Sequence, residues 1–434
     1  MLIPTNRALI IGLVIALLGV IPSLYPTLLG PWITVAAVFV FLLVIDGWRL
    51  RRCSLEGSRD VRRVIAHRRW SDVTLNIVNT SSMSLLVKAF DMHPLHCFSE
   101  GLPNHKQLDA TQSASMTYQL RSDQRGDLSF EGIQCLIASS LGLIERRMTI
   151  PAISEAQVFP NYNANQSFGA LLSRRRLQQM GINRLPRPGE GSDFNQLREY
   201  RDGDSLRQID WKATARTRKI IAREFQQERD QQIVFLLDCS QRMRHQSEHS
   251  SHMDDAINAL VLLAQVALQQ GDSTGLMTFG GIDRWIAPSK GANASRRLMN
   301  GLYDIEATRE LPDYTAAIQN LAVKLRRRAL VILITNLRNE DGDSALKALQ
   351  QLNSKHLVLM ADLRESDLDN AIADEPKTYR ESVVYLSAEA YSQDRKQRHR
   401  LAVAGGARLL DASPENLSAD LLTRYLSIKR MGQL

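Results

Sequence analysis

From Ala8 to Ile45 the chain carries no charged residue, a run too long for one ordinary membrane span. Its apolar centres are IIGLVIALLGV and WITVAAVFVFLLVI, and SLYPTLLGP between them supplies two prolines and a glycine where a tight turn belongs. A crossing takes about 20 helical residues, so each span must recruit flanks such as Leu2 to Arg7 and Asp46 to Leu50. The pattern predicts a two-helix transmembrane hairpin over residues 1–52. A cleaved signal peptide is the competing reading, but the second apolar segment follows at once and would itself stop transfer.

From 53 to 160 the pattern shortens to alternating runs: SDVTLNIVN, LLVKAFDM, ASMTYQLRS, GDLSFEGIQCLI and AQVFP. Alternation with period two predicts strands of a small antiparallel β-sandwich, a binding module or a spacer. TYQLRSDQRGDLSFEGI reads as a hairpin across QRGD. Residues 161–230 form a basic, charged junction that includes the Arg174 to Arg176 run. Beyond Asp230 the order changes to alternating strands and helices. QQIVFLLD, STGLMTFGG, ALVILITNL and HLVLMADL are continuous apolar strands, with helices between them and two more around GARLLD. Strands buried on both sides imply an open, mainly parallel sheet over 231–434, so the fold class is α/β. Ligands of such sheets collect at the carboxyl ends of the strands, where Asp238, Asn336 and Asp362 lie.

Charge changes this picture little. The net charge is +8, but acids are interleaved with bases through most of the chain. Arg7 precedes the first span and Arg49, Arg51, Arg52, Arg62 and Arg63 follow the second, so the positive-inside rule puts both ends in the cytoplasm. Cys53, Cys97, Cys135 and Cys239 lack zinc-ligand spacing and read as free thiols. Histidines 93, 96 and 105 read as ordinary surface or core residues, and His245, His249 and His252 as part of a polar loop. Cys239 sits between strand end and loop with no histidine fixed beside it. GxSxG, Walker A and HExxH motifs are all missing, so no enzyme is expected and ATP hydrolysis would come from a partner.

LREYRDGDSLRQIDWKATARTRKIIAREFQQERDQQIVFLLDCSQRM closely resembles the signature of the domain of unknown function 58 family, bacterial proteins often encoded beside MoxR-type AAA+ ATPases. SLGLIERR, GDSTGLMTFG and the terminal RYLSIKRMGQL also look like that family's pattern, so the resemblance spans nearly the whole chain. It implies a von Willebrand factor A-like C-terminal domain, whose metal site uses D-x-S-x-S, a Thr and a later Asp around Mg²⁺. Asp238 and Ser240 match the first two positions and Thr315 the threonine. Arg242 stands where the second Ser belongs, and Asn336 replaces the Asp. A guanidinium about 5 Å from a divalent ion costs roughly 7 kcal/mol at an effective dielectric of ~20 unless it swings away. The site is therefore degenerate, and Arg242 has the alternative of a salt bridge to Asp238.

The expected function is that of a membrane-anchored adaptor at the bacterial inner membrane, its large C-terminal region cytoplasmic, working with a MoxR-type ATPase on a client protein. The alternative is a membrane-tethered binder of an anionic polymer or nucleic acid; mixed charge and missing aromatic repeats argue against nucleic acid. Candidate contact residues in the junction are Arg198, Tyr200, Arg201, Asp204, Arg207, Trp211 and Lys212. The span from Arg198 to Lys219 holds seven bases and four acids. Asp202, Asp204 and Asp210 are placed to neutralise Arg201, Arg207 and Lys212, and Trp211 to anchor onto the next domain.

Overall fold

The computed structural model describes residues 1–139, 141–160, 193–201, 206, 209–226, 231–246, 250–373 and 375–431. It divides into two units, Met1–Phe159 and Pro160–Leu434.

In the first unit, strand β1 (Leu2–Pro4) leads into helix α1 (Asn6–Leu18), one helical turn (Ile21–Leu24), and helix α2 (Leu29–Arg51). Pro26–Arg51 is long and apolar enough to cross a membrane; α1 is apolar but has 13 residues, about 20 Å at 1.5 Å each. The helices touch where the Trp32 indole donates to the Ile15 carbonyl at 2.9 Å. The second flank, Asp46 to Leu50, continues its helix, whereas half of the first is a strand, and both are held by the sandwich. Leu2–Pro4 pairs antiparallel with Ile144–Arg146, and Asp46 and Leu50 are fully buried. The Asp46 carboxylate accepts from the Ser139 hydroxyl and from the backbone N–H groups of Leu143 (3.2 Å) and Ile144 (3.0 Å). A buried carboxylate needs such donors, and only the sandwich supplies them.

The sandwich strands are β2 (Leu55–Asp60), β3 (Val64–Ala66), β4 (Ser71–Asn79), β5 (Leu85–Asp91), β6 (Cys97–Glu100), β7 (Asn104–Leu108), β8 (Ser113–Ser122), β9 (Gly126–Ser139) and β10 (Ile144–Phe159). One sheet runs β1-β10-β9-β5-β7 with β3 also on β10, and the other β2-β4-β8-β6. Alternate residues face inward: Val73, Leu75 and Ile77 of β4 and Ile133, Cys135 and Ile137 of β9 are completely buried in one core. The QRGD segment is not a hairpin, because β8 pairs with β4 and β6 while β9 pairs with β10 and β5. It crosses between sheets, and alternation identifies strands without identifying their partners.

Across the core, the buried Arg59 guanidinium binds both Asp91 oxygens, with Nε to Oδ2 at 2.8 Å. It also donates to Ala152 O, Ser154 Oγ and Gly132 O, and lies over the Phe130 ring. Tyr118 donates its hydroxyl to Asp91 Oδ2 at 2.5 Å.

In the second unit the charged segment is more than a linker. Strands β11 (Asp193–Glu199) and β12 (Ile221–Gln226) pair antiparallel, with helix α3 (Trp211–Thr217) between them. Then follow β13 (Gln232–Asp238), α4 (His252–Gln269), β14 (Ser273–Phe279), β15 (Trp285–Ser289), α5 (Ala292–Asn300), α6 (Tyr314–Lys324), β16 (Leu330–Thr335), α7 (Gly342–Lys355), β17 (Leu357–Leu363), α8 (Ser366–Ala373), α9 (Tyr379–Ala404), β18 (Arg408–Ala412) and α10 (Leu417–Arg430). The sheet order is β15-β14-β13-β16-β17-β18, with β14 to β18 parallel and β15 antiparallel at the edge. Alternate side chains of β13 enter two cores: Phe235 and Leu237 pack with α4 and α10, Val234 and Leu236 with α6 and α7. GARLLD, expected between helices, itself supplies the fifth parallel strand. Order reverses on either side of β13, so the crevice favoured for ligands lies beyond the carboxyl ends of β13 and β16.

Candidate functional site

Asp238 ends β13 and is completely buried. Its Oδ1 accepts from the Ser240 N–H at 2.8 Å and its Oδ2 from the Thr335 hydroxyl at 2.6 Å. Thr335 is the last residue of β16, and its hydroxyl also shares a 2.9 Å hydrogen bond with the Tyr314 hydroxyl. Tyr314 is buried, its ring tilted against Phe279. All these partners are neutral. Burial, reinforced by the charge of Asp341, raises the carboxyl's pKa even though Thr335 and Ser240 favour its ionised form.

The loop after β14 closes over this carboxylate. Gly280 has φ +76°, and a Cβ there would lie 2.8 Å from Ser240 Cβ and 3.2 Å from Asp238 Oδ1. Glycine is therefore required for both conformation and space. Thr308 ties the loop down, donating its hydroxyl to Gly280 O at 2.7 Å and its N–H to Cys239 O at 2.7 Å. The Cys239 thiol lies in the hydrophobic core.

Arg242 does not bridge to Asp238. Its buried guanidinium reaches Glu340 at 2.5 Å and Asp341 at 3.0 Å, in the loop after β16. Burial opposes its charge, but these two carboxylates outweigh that and raise its pKa. Asp341 is 4% exposed and Glu340 71% exposed, so one face of the cluster is open to solvent. Asn336 is buried and donates to Glu365 Oε1 at 3.1 Å, a carboxylate that Arg338 also holds at 2.6 Å. Thr315 is exposed on the first turn of α6, and the hydroxyl that reaches Asp238 is Thr335's. Helix position explains the difference: Asp313 caps α6 through the Ala316 N–H, which turns Tyr314 inward.

The residues do not fit a divalent cation. The centre is one carboxyl engaged by neutral donors, with a guanidinium held beside its own two carboxylates. Among the described residues no group of three or more His, Cys, Asp and Glu has a metal-holding arrangement.

A second polar cluster lies beside it. Asp362 accepts from the Leu337 N–H at 2.7 Å and pairs with Arg395 and His399, both at 2.7 Å. His252 is 1% exposed, with the His245 ring 4.7 Å away. Burial first, then the charges of His245, Arg338 and Arg395, push its pKa down to about 3.

In the charged segment, Asp210 caps α3 through the Ala213 N–H at 3.0 Å. Trp211 is 70% exposed, so it is no apolar anchor. Lys212 and Arg201 are exposed, and Arg198 and Tyr200 are half-buried on and beside β11. Arg174 to Arg176, Asp202, Asp204, Arg207 and His249 lie outside the described residues. Sequence reasoning missed Thr335, Tyr314, Gly280, Glu340 and Asp341. The Gly-Gly pair after β14 and the acid pair just beyond Asn336 were the available signals.

Residues 196–383 match the family model described as protein of unknown function DUF58. Bacillus subtilis YeaD, an uncharacterized protein, is 22% identical over 261 residues, covering 60% of this chain and 62% of that protein. The match thus spans less than two thirds of the relative's length. Among solved structures, an aerotolerance-related membrane protein from Bacteroides fragilis covers 46% of this chain and 98% of its own, at 14% identity and TM-score 0.32. Proximal thread matrix protein 1 from mussel byssus covers 46% of both chains at 12% identity and TM-score 0.30. At such scores the fold rests on this chain's own geometry.

Proposed function

We propose that the chain is a membrane-anchored adaptor or scaffold whose C-terminal domain, of von Willebrand factor A type, grips a protein partner at its strand ends. A MoxR-type AAA+ ATPase supplies the force for assembly or maturation of a client. The two apolar helices cross the bacterial inner membrane as a hairpin, and the large C-terminal region is cytoplasmic. The observation that carries this reading is the Arg242–Glu340–Asp341 cluster at the switch point of the sheet. It is a fixed charge pattern, buried on one side, with Glu340 presented to solvent. Rigid sheet ends carrying a few positioned polar groups suit recognition. The sealed Asp238 supports a contact that needs no metal.

Capture of a MoxR-type ATPase by the detergent-solubilised full chain, with and without Mg²⁺ and across nucleotide states, tests the reading. Capture should be insensitive to Mg²⁺ at this site and should fall at least tenfold in Glu340→Gln, which removes the solvent-facing charge while Asp341 still holds the Arg242 guanidinium. Failure to capture the ATPase in every nucleotide state would remove the adaptor reading.

A further inference from the structure

The start of α1 and the end of α2 are fixed on one corner of the sandwich. Thr5 donates its N–H to Leu143 O at 3.0 Å and its hydroxyl to Gly142 O at 2.7 Å. Asp46, forty-one residues later, accepts from the N–H groups of Leu143 and Ile144. Both helices therefore leave the sandwich at the same level, on a turn that joins two long strands. From there to the tip, the uncharged helix from Pro26 to Ile45 spans about 30 Å, the thickness of a bilayer's hydrocarbon core.

At and just below that level the surface changes character. Trp48 is 54% exposed with the Arg52 guanidinium stacked 3.7 Å from its ring centroid. Arg49 and Arg51 on the same turns, and Arg7 on the first turn of α1, are exposed as well. The one acid of α2, Asp46, is buried and turned toward the sandwich, where it accepts from Ser139, Leu143 and Ile144, so the exposed charges of these turns are all basic. The partial negative charge at the end of α2 is also occupied, because Arg146 Nη1 donates to the carbonyls of Leu50 (2.8 Å), Arg51 (3.1 Å) and Cys53 (2.7 Å). What remains is a cationic rim with an amphipathic indole, directly bordering exposed apolar helix.

We propose that this rim, Arg7, Trp48, Arg49, Arg51 and Arg52, binds the headgroups of anionic phospholipids and sets the depth at which the sandwich sits on the bilayer. The proposal rests on the membrane-spanning reading of the hairpin. Phosphates of a charged bilayer are the ligands that chemistry and position share: guanidinium groups take the phosphate oxygens, and Trp48 takes the interface between headgroup and chain. Because both helix ends are clamped to one turn, the rim and the sandwich move together.

The full chain reconstituted in nanodiscs of phosphatidylcholine, with or without phosphatidylglycerol, separates the two ideas. Retained lipid is read by native mass spectrometry. Wild type should retain phosphatidylglycerol preferentially, and the preference should fall with added salt. At about fivefold per basic side chain, R49Q/R51Q/R52Q should lower it by about a hundredfold while still incorporating. Incorporation with equal retention of both lipids, or a preference insensitive to salt, overturns the rim and leaves the span in place. Failure to incorporate into either disc overturns both. If the triple variant alone fails to incorporate, the salt series on wild type decides.

Discussion

Two buried carboxylates are handled in opposite ways. Asp91, in the sandwich, is held by both arms of Arg59 and by Tyr118. Asp238, in the parallel sheet, has only the neutral donors Ser240 and Thr335 in hydrogen-bond contact. The sandwich spends its buried charge on a closed network that fixes one packing of two sheets. The second unit answers its buried carboxylates in two ways: Asp362 is paired with Arg395 and His399, and Asp272 with Lys429 and Tyr425, while Asp238 stays among neutral donors.

The largest way to break the comparison is Arg59→Ala. It strands Asp91 without its ion partner in the middle of a core, and breaking a buried pair in this way costs about 3–5 kcal/mol. Urea denaturation of the full chain, with hydrogen exchange followed peptide by peptide, should show the loss in β4, β5, β8 and β9 and leave β13, β14 and β16 protected. A loss below about 1 kcal/mol would mean the network is not closed in the way its geometry indicates.

A smaller effect sharpens the other half. His252 has a folded pKa of about 3, below its unfolded value near 6.5. Its neutral burial therefore contributes fully above about pH 6.5, and stability drains as pH falls towards 3, by up to about 1.4 kcal/mol per pH unit. Asp238 has the opposite sign. Its raised pKa means that its contribution is complete below the ordinary carboxylate range and is lost as pH rises through the folded value. Urea midpoints across this range should show His252→Phe flattening the acid limb and Asp238→Asn the other. An acid limb unchanged in His252→Phe would show that other groups carry the acid loss of stability.

How much of this was legible in the residues depends on the range of the interaction. QIVFLLD, LVILIT and LVLMADL announce buried parallel strands because each is apolar throughout, and SDVTLNIVN announces a half-buried one by alternation. Pairing is not local: nothing in SDQRGD reveals that the chain changes sheets there. The same holds at the strand ends. Asp238 is conspicuous at the end of its strand, but Arg242's partners lie 98 and 99 residues away, in a loop whose acids look like ordinary surface. Trp211 misled because an indole suits both burial and exposure, and only the capping role of Asp210 fixes how its helix begins.

The smallest effect concerns Lys219 and Glu199, which join the β12 side of the charged segment to β11 at 2.6 Å. In distance this pair equals the best contacts in the cores, yet both side chains are about two-thirds exposed. Their attraction raises the lysine's pKa and lowers the glutamate's, chiefly through the shared hydrogen bond. Water and salt compete for both groups, and ordering two long side chains opposes what remains. Lys219→Ala should therefore leave the urea midpoint of the full chain unchanged within error, at low and at moderate salt. A clear drop would mean that the β11–β12 pair depends on this bridge, and that the charged segment is braced by its ion pairs as Arg59 braces the sandwich. With no drop, the segment is held by its strand pairing and by the buried Ile209, Ile221 and Ala222.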